Sequence, residues 1–203
     1  MRFSVYLNAV IPLLTFVHGQ DTCLKEVKSA FEAANIPEDI SITFDPTVLL
    51  EVTLPQTSGD SITLHAGVQV PREDTAGPPT FSIDPSTAAA AGPGPFVIAA
   101  VDPDAPPTVA QIRHFLGSDF TVNGGPLTNS TPAISPFRQP SPPAGSGAHR
   151  YTFLLFNQPV NFDEQTVVTS NTSVQLFNIS AFAAATGLGS PIGGTFMLVA
   201  PAA

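Results

Sequence analysis

Two aspartates and three prolines stand together in the stretch VDPDAPP at residues 101–107. The residue before a proline is restricted to extended backbone and proline fixes its own φ, so Asp102 and Asp104 are predicted to lie on one stiff segment. Their carboxylates are expected to point the same way. Such a pair could hold a cation, share a proton in acid–base chemistry, or remain solvated in a turn, which is the commonest outcome for a lone D-P-D.

Two later segments place histidines at the beginnings of predicted strands. His114 lies in IRHFLG, and His149 stands with Arg150 and Tyr151 in GSGAHRYTFLLF. An imidazole close to a carboxylate can transfer protons or bind an anion. The alternatives are structural, because His114 could be a core histidine bonded to a backbone carbonyl and Arg150 could form a salt bridge to the acidic turn.

Several kinds of site require patterns that the sequence lacks. Neither the H-x-x-x-H nor the C-x-x-C spacing of a preformed zinc site is present, and the EF-hand pattern is absent as well. No G-x-S-x-G nucleophile elbow and no glycine-rich phosphate loop with its lysine occur. A metal-dependent hydrolase using two aspartates and two histidines stays open as a hypothesis, but the sequence predicts neither a metal nor a cofactor.

The composition favours strands and argues against some partners. Of 203 residues, 22 are proline and 15 glycine, while only 11% are charged, which suits short strands joined by turns better than a helical bundle. The net charge is −9, and the seven Lys and Arg residues are dispersed. Binding to a phosphate backbone needs clustered cations, so neither nucleic acid nor a polybasic membrane contact is expected.

Residues 1–19 have the pattern of a secretory signal peptide. Arg2 gives a positive start, a mostly apolar run follows, and cleavage is expected before Gln20. The apolar run is too short for a membrane-spanning helix and is interrupted by polar residues and a proline. The chain is therefore predicted to be secreted, or to stay in the secretory pathway or a vacuole, with residues 20–203 as a single domain and no transmembrane segment.

Three N-glycosylation sequons fit this route, at Asn129, Asn171 and Asn178. Cys23 is the one cysteine of the sequence, so the domain is expected to be held by its core rather than by an internal disulfide. Its thiol could pair with another chain or be a buried, inert side chain.

The apolar pattern predicts a mainly β domain. Residues 22–35 have the spacing of an amphipathic helix, and residues 180–187 predict a short helix with Ser180 as its cap and Gly187 at its end. Strands are predicted at 40–44, 48–54, 62–70, 79–84, 96–102, 111–122, 150–157 and 194–200. A long loop rich in proline and glycine covers 123–148. The expected fold is an antiparallel β-sandwich with a short helix near each end.

The order of these blocks resembles the phosphatidylethanolamine-binding protein family. DPDAP after a buried strand, then RHFL, then PPAGSGAHRYTFLLFNQP are similar to the family's D-P-D-x-P turn and its P-P-x-G followed by G-x-H-R-Y. FNISAF and GLGSPIGGTFM look like the family's closing helix, loop and strand. The similarity covers roughly residues 40–200, and several blocks in order are far more specific than any one alone.

The resemblance implies a β-sandwich with a small anion pocket at one end, which accepts phosphate or a phospholipid headgroup without chemical turnover. The ligand-binding residues that it implies are Asp102, Asp104, Pro106, His114, Pro143, His149 and Tyr151. Arg150 is expected to brace the acidic turn. Family members also inhibit peptidases, so a serine carboxypeptidase inhibitor is the alternative to a secreted, non-enzymatic binding protein.

Overall fold

A computed structural model describes residues 20–202, so the predicted signal peptide lies outside the described residues. The helices in this range are α1 (Leu24–Ala33), α2 (Ile36–Asp39), α3 (Ala88–Ala91) and α4 (Ile179–Thr186). The strands are β1 (Leu50–Leu54), β2 (Ile62–Thr63), β3 (Val68–Gln69), β4 (Thr80–Ile83), β5 (Phe96–Asp102), β6 (Ile112–Val122), β7 (Pro126–Thr128), β8 (His149–Asn157) and β9 (Gly193–Val199). Among the described residues, no helix has the length and apolar character needed to cross a membrane.

The strands of residues 20–202 form one continuous nine-stranded sheet in the order β2-β1-β4-β7-β6-β5-β8-β9-β3. All neighbours are antiparallel except β3, which runs parallel to β9. The long strand β6 pairs with β5 as far as Phe120 and with β7 from Thr121 onward, so it joins the two halves of the sheet. The mainly β class is confirmed, but the strands of the expected sandwich belong to a single curled sheet rather than to two separate ones.

The two halves of the curled sheet enclose a buried apolar core. This core combines side chains from both halves, among them Leu50, Val52, Phe81, Ile98, Phe153 and Met197. A second core lies on the other face of the central strands, where α1 and α4 pack against Val97 and Ala99 of β5. Because β5 is buried on both faces, its sequence is an unbroken apolar run rather than an alternating one.

Residues 62–70 do not form the single strand that their alternating pattern predicts. β2 pairs with β1 and β3 with β9, at opposite ends of the sheet order. Only residues 64–67 separate these two strands, so the curl brings the two edges of the sheet close together. Gly67 turns the chain with a φ of +88°, and the buried Asp21 carboxylate accepts hydrogen bonds from the Ala66 N–H and the Thr195 hydroxyl.

The helices near the two ends of the domain are confirmed, while two other predictions are wrong in detail. The predicted strand 40–44 is a loop after α2 in which Ile40 and Phe44 are buried against α1, and this burial explains their apolar spacing. The cap of α4 is Asn178 rather than Ser180, because the Asn178 side chain accepts a hydrogen bond of 2.8 Å from the N–H of Ala181. The helix ends at Gly187, as expected.

Candidate ligand-binding cavity

Three strand ends meet at one edge of the sheet. Since β5 runs antiparallel to both β6 and β8, its last residue, Asp102, lies beside the beginnings of those two strands. His114 and His149 belong to these beginnings. The topology alone therefore brings both histidines to the acidic turn, which the spacing along the sequence could not show.

A cavity of about 410 Å³ opens at this edge. Its walls are formed by Asp102, Ala105, Pro106, Ile112, His114, Arg138, Gln139, Ser141, Pro143, His149, Tyr151, Val174 and Gln175. Six of the seven ligand-binding residues implied by the family resemblance lie on these walls. The exception is Asp104.

His149 and Asp102 form a buried pair in the cavity wall. His149 Nδ1 lies 2.9 Å from Asp102 Oδ2, and both side chains are about 5% exposed or less. A carboxylate only accepts hydrogen bonds, so Nδ1 carries the hydrogen and donates it. The other oxygen of Asp102 accepts the N–H of Asp104 at 2.8 Å, which fixes the carboxylate in turn. The orientation of the imidazole is thus set, and its second nitrogen, Nε2, is left for the cavity.

His114 is held in the same way by a backbone carbonyl. Its Nδ1 donates to the carbonyl oxygen of Arg138 at 2.9 Å. Burial lowers the pKa of His114, so its imidazole is neutral at pH 7. Within residues 20–202 neither His114 Nε2 nor His149 Nε2 has a hydrogen-bond partner, and neither atom is sealed from solvent. Each of these nitrogens is therefore available to a ligand.

Tyr151 lies between the two imidazoles. Its ring contacts His114 edge-on at 4.9 Å between centroids and stacks on His149 at 6.5 Å. Burial, together with the nearby negative charge of Asp102, raises the pKa of the Tyr151 phenol well above its usual value. The hydroxyl stays protonated at physiological pH and can donate a hydrogen bond.

Asp104 does not line the cavity but forms an ion pair with Arg150. Arg150 Nε lies 2.9 Å from Asp104 Oδ2, and the Arg150 N–H donates to the same oxygen at 2.7 Å. Burial alone would raise the pKa of Asp104, yet the hydrogen bonds from Arg150 outweigh it and hold the pKa below its usual value. Arg150 also pairs with Asp39 at 2.8 Å and donates to the carbonyl of Ala34. It thus ties the acidic turn to α1 and α2.

Arg138 is a cavity residue that sequence reasoning did not identify. Its side chain is exposed and makes no hydrogen bond or ion pair with the described residues, so the guanidinium is free at the rim. Arg72 positions the loop that carries it, since Arg72 Nε donates to the carbonyl of Pro140 at 3.1 Å and the Arg72 carbonyl accepts from Gln139 at 2.9 Å. The only sequence signal was a basic residue in the long loop 123–148.

Among the described residues, the cavity contains neither a serine paired with a histidine nor a cluster of metal ligands. The Ser141 hydroxyl accepts from Arg72 and donates to the carbonyl of Gln139, so no histidine activates it as a nucleophile. The four residues of the metal hypothesis do not converge, because Asp104 faces Arg150. Among residues 20–202 no group of three His, Cys, Asp or Glu side chains is arranged to hold a metal ion.

Residues 53–197 match the sequence model of the phosphatidylethanolamine-binding protein family. The chain belongs to this family. An uncharacterized protein of Saccharomyces cerevisiae is 27% identical over 73% of the chain and 73% of its own length. A 26 kDa secreted antigen of Toxocara canis is 28% identical over 73% of the chain and 59% of the antigen. Among solved structures, the carboxypeptidase Y inhibitor complexed with its cognate proteinase has a TM-score of 0.69 at 22% identity, over 88% of the chain and 97% of the inhibitor.

Proposed function

We propose that this member of the phosphatidylethanolamine-binding protein family is a non-enzymatic binding protein whose cavity takes a phosphate-bearing ligand, either a small phosphate ester or a phospholipid headgroup. The observation that carries the proposal is the presence of two imidazole Nε2 atoms in one cavity, each with its opposite nitrogen fixed by a hydrogen bond. An imidazole that takes up a proton when the anion binds, the Tyr151 hydroxyl and the Arg138 guanidinium together supply donors on several sides of an anion.

Asp102 limits the negative charge that the cavity itself presents. Its carboxylate is paired with His149 and with the backbone of the turn, so it is not directed at the ligand. When a proton is added to His149, the pair becomes neutral overall and Nε2 becomes a donor. The aspartate thus fixes the orientation and the tautomer of the His149 imidazole, which is a positioning role rather than direct binding.

The proposal is tested by titrating the protein with phosphoethanolamine and following the imidazole resonances of its histidines. We expect His114 and His149 to shift, and we expect His149→Ala to weaken binding by about tenfold or more, since one charge-assisted hydrogen bond is lost. His65→Ala is the matched control, because His65 lies away from the cavity and pairs with Asp21 at 2.7 Å. Unchanged resonances, or equal affinity of the His149 and His65 variants, would overturn the proposal.

A second candidate is inhibition of a serine carboxypeptidase. It is favoured by the fold shared with the carboxypeptidase Y inhibitor over 97% of that protein. The test is an inhibition assay against serine carboxypeptidases with the wild-type protein and the His149→Ala variant. Inhibition that survives the substitution would assign the activity to a surface other than the cavity, and no inhibition at micromolar concentration would remove this candidate.

We also propose that the protein follows the secretory route. The support is the pattern of residues 1–19, the three sequons and the similarity to a secreted antigen. The sequons differ in how freely they can accept a glycan. Asn129 Nδ2 donates to the carbonyls of Ser118 and Thr131, both at 3.0 Å, so both of its hydrogens are in use.

We therefore expect glycosylation at Asn171 and Asn178 in preference to Asn129. Asn171 is exposed and its side-chain amide bonds to none of the described residues, while Asn178 uses only its oxygen, as the helix cap. Peptide mapping of protein secreted from a eukaryotic host, after enzymatic removal of glycans in heavy water, measures the occupancy of each site. Full occupancy at Asn129 would contradict the expectation.

A further inference from the structure

Arg113 is a buried cation without a carboxylate partner. It stands next to His114 on β6 and is 1% exposed, yet no Asp or Glu of residues 20–202 lies within ion-pair distance of it. Its guanidinium donates to the Ser135 hydroxyl at 2.6 Å and to the carbonyls of Thr172 at 3.0 Å and Ser173 at 3.3 Å. Buried charges are ordinarily paired, so this one is unusual.

The neutral acceptors satisfy only part of the guanidinium. An arginine has five N–H donors, and the three contacts engage one from each of its three nitrogens, which leaves two without an acceptor among the described residues. The Phe177 ring lies 5.0 Å from the guanidinium carbon and supplies a cation–π contact. Burial lowers the pKa of Arg113, as expected where a positive charge has no negative neighbour.

Arg113 forms part of the wall of a second cavity, also of about 410 Å³. Apart from Arg113 and a few polar residues of the 172–178 segment, its walls are apolar and are formed by Val167, Val168, Leu176, Phe177, Ala181, Phe182 and Ala185. This cavity lies against α4, and it shares only Gln175 with the cavity that contains the histidines. The two cavities therefore offer different chemistry to a ligand.

Two large apolar side chains at this second cavity are exposed to solvent. Val167 is 50% and Leu176 65% exposed, and Leu176 has a φ of +58°, which residues other than glycine rarely adopt. The backbone holds Leu176 in place, because its N–H donates to the carbonyl of Val109 and the N–H of Phe177 donates to the carbonyl of Gln111, both at 2.8 Å. An apolar surface beside a buried cation matches a ligand with a hydrocarbon chain and one negative end.

We propose that this second cavity binds an apolar carboxylic acid, with the carboxylate against Arg113 and the hydrocarbon chain along Leu176, Phe177 and Ala181. The carboxylate supplies the negative charge that the protein does not provide, and it accepts the remaining guanidinium hydrogens. The chain covers the exposed apolar residues, whose burial contributes in proportion to the area removed from water. This site is independent of phosphate binding at the first cavity.

The probe is sodium decanoate below its micelle concentration, and the comparison ligand is 1-decanol, which has the same chain without the charge. We expect decanoate to shift the amide resonances of Phe177 and Ala181 and to bind at least about tenfold more tightly than decanol, the difference typical of a charge-assisted hydrogen bond. Arg113→Gln should remove this difference. Equal binding of the two ligands to the wild-type protein, or no binding of decanoate, would overturn the proposal.

Two alanines of α4 give a matched pair of variants that leaves Arg113 untouched. Ala181 is exposed at the second cavity, while Ala184 is exposed on another side of the same helix. Ala181→Phe should fill the cavity and abolish decanoate binding, and Ala184→Phe should leave it unchanged. His149→Ala should also bind decanoate normally. Retention of binding by Ala181→Phe, or loss of binding in His149→Ala, would place decanoate elsewhere and refute this site.

Discussion

Replacing Arg150 with methionine is expected to lower the free energy of unfolding by about 2–3 kcal/mol, because it leaves a partly buried carboxylate without its partner. The Arg150 and Asp104 side chains are only 16% and 24% exposed, and the guanidinium also binds Asp39 and the carbonyl of Ala34. Methionine keeps much of the aliphatic stem, so the loss is chiefly that of the ion pairs. Urea unfolding at pH 7, followed by circular dichroism, measures the change.

The matched control is Lys28→Met at the exposed ion pair with Asp45. Lys28 and Asp45 lie 2.8 Å apart with side chains 40% and 79% exposed. Exposed pairs of this kind contribute little because water and salt screen them, so this substitution is expected to leave stability nearly unchanged. If Lys28→Met lowered the free energy of unfolding as much as Arg150→Met does, the effect would come from removing any cation from this acidic chain. It would then not come from the contacts of Arg150 with the acidic turn.

The pH dependence of the Arg150→Met effect follows from the pKa of Asp104. Since hydrogen bonds from Arg150 hold this pKa below the ordinary value of 3.8, the ion pair contributes fully above that pH and is lost as the pH falls through the lower, folded-state value. Without Arg150, burial raises the pKa of Asp104 in the variant, so the stability difference between wild type and variant should begin to narrow above pH 3.8 and narrow further as the pH falls through the lower wild-type value. A difference that stays constant down to the acid transition would assign the effect to packing alone.

The elements that the sequence predicts well are those whose environment is uniform along their length. β5 is found where its apolar run places it, because both of its faces are buried. The prediction of one strand over residues 62–70 is wrong because an alternating apolar pattern indicates which side chains are buried, but not which strand the residues pair with. Within this segment the pairing partner changes from β1, which pairs with β2, to β9, which pairs with β3, and no local sequence pattern indicates the change. Similarly, β7 in the predicted loop is too short for its pattern to be recognised.

The cavity residues likewise divide into those that a local sequence pattern indicates and those that depend on contacts distant in sequence. The resemblance of the DPDAP, RHFL and PPAGSGAHRY blocks to a family indicated six of the cavity residues, which lie at the end of β5 and in the turn after it, near the start of β6, and in or just before the start of β8. Arg138 and Gln175 reach the cavity from loops whose path depends on contacts distant in sequence. For Gln175 this is the backbone pairing of residues 174–177 with residues 109–113. The resemblance predicts that Arg150 braces the acidic turn, and the ion pair that does so directs Asp104 away from the cavity wall.

Phosphate binding at the first cavity is expected to take up protons and to strengthen as the pH falls from 8 to 6. Because Nδ1 of both His114 and His149 is a donor, a neutral ring presents only a lone pair at Nε2, and a phosphate dianion also has only acceptors. A proton must therefore join either the ring or the phosphate, whose second pKa is about 6. The affinity for phosphoethanolamine should rise by up to about tenfold per pH unit for each proton taken up.

The direction of this pH dependence follows from His114, because burial lowers the pKa of its imidazole in the free protein. A bound anion favours the charged imidazole, so the pKa of His114 is higher in the complex than in the free protein. The affinity for the anion therefore increases as the pH falls through the pKa of the complex, and it levels off below the pKa of the free protein. Calorimetric titrations in two buffers of different ionisation enthalpy count the protons taken up. Sulfate, which stays a dianion throughout this range, separates the two sources of the proton. Uptake with sulfate places the proton on an imidazole, and uptake with phosphoethanolamine alone places it on the ligand. Affinity that does not change with pH for either anion would refute the assignment of His114 as a neutral, Nδ1-protonated imidazole in the free protein.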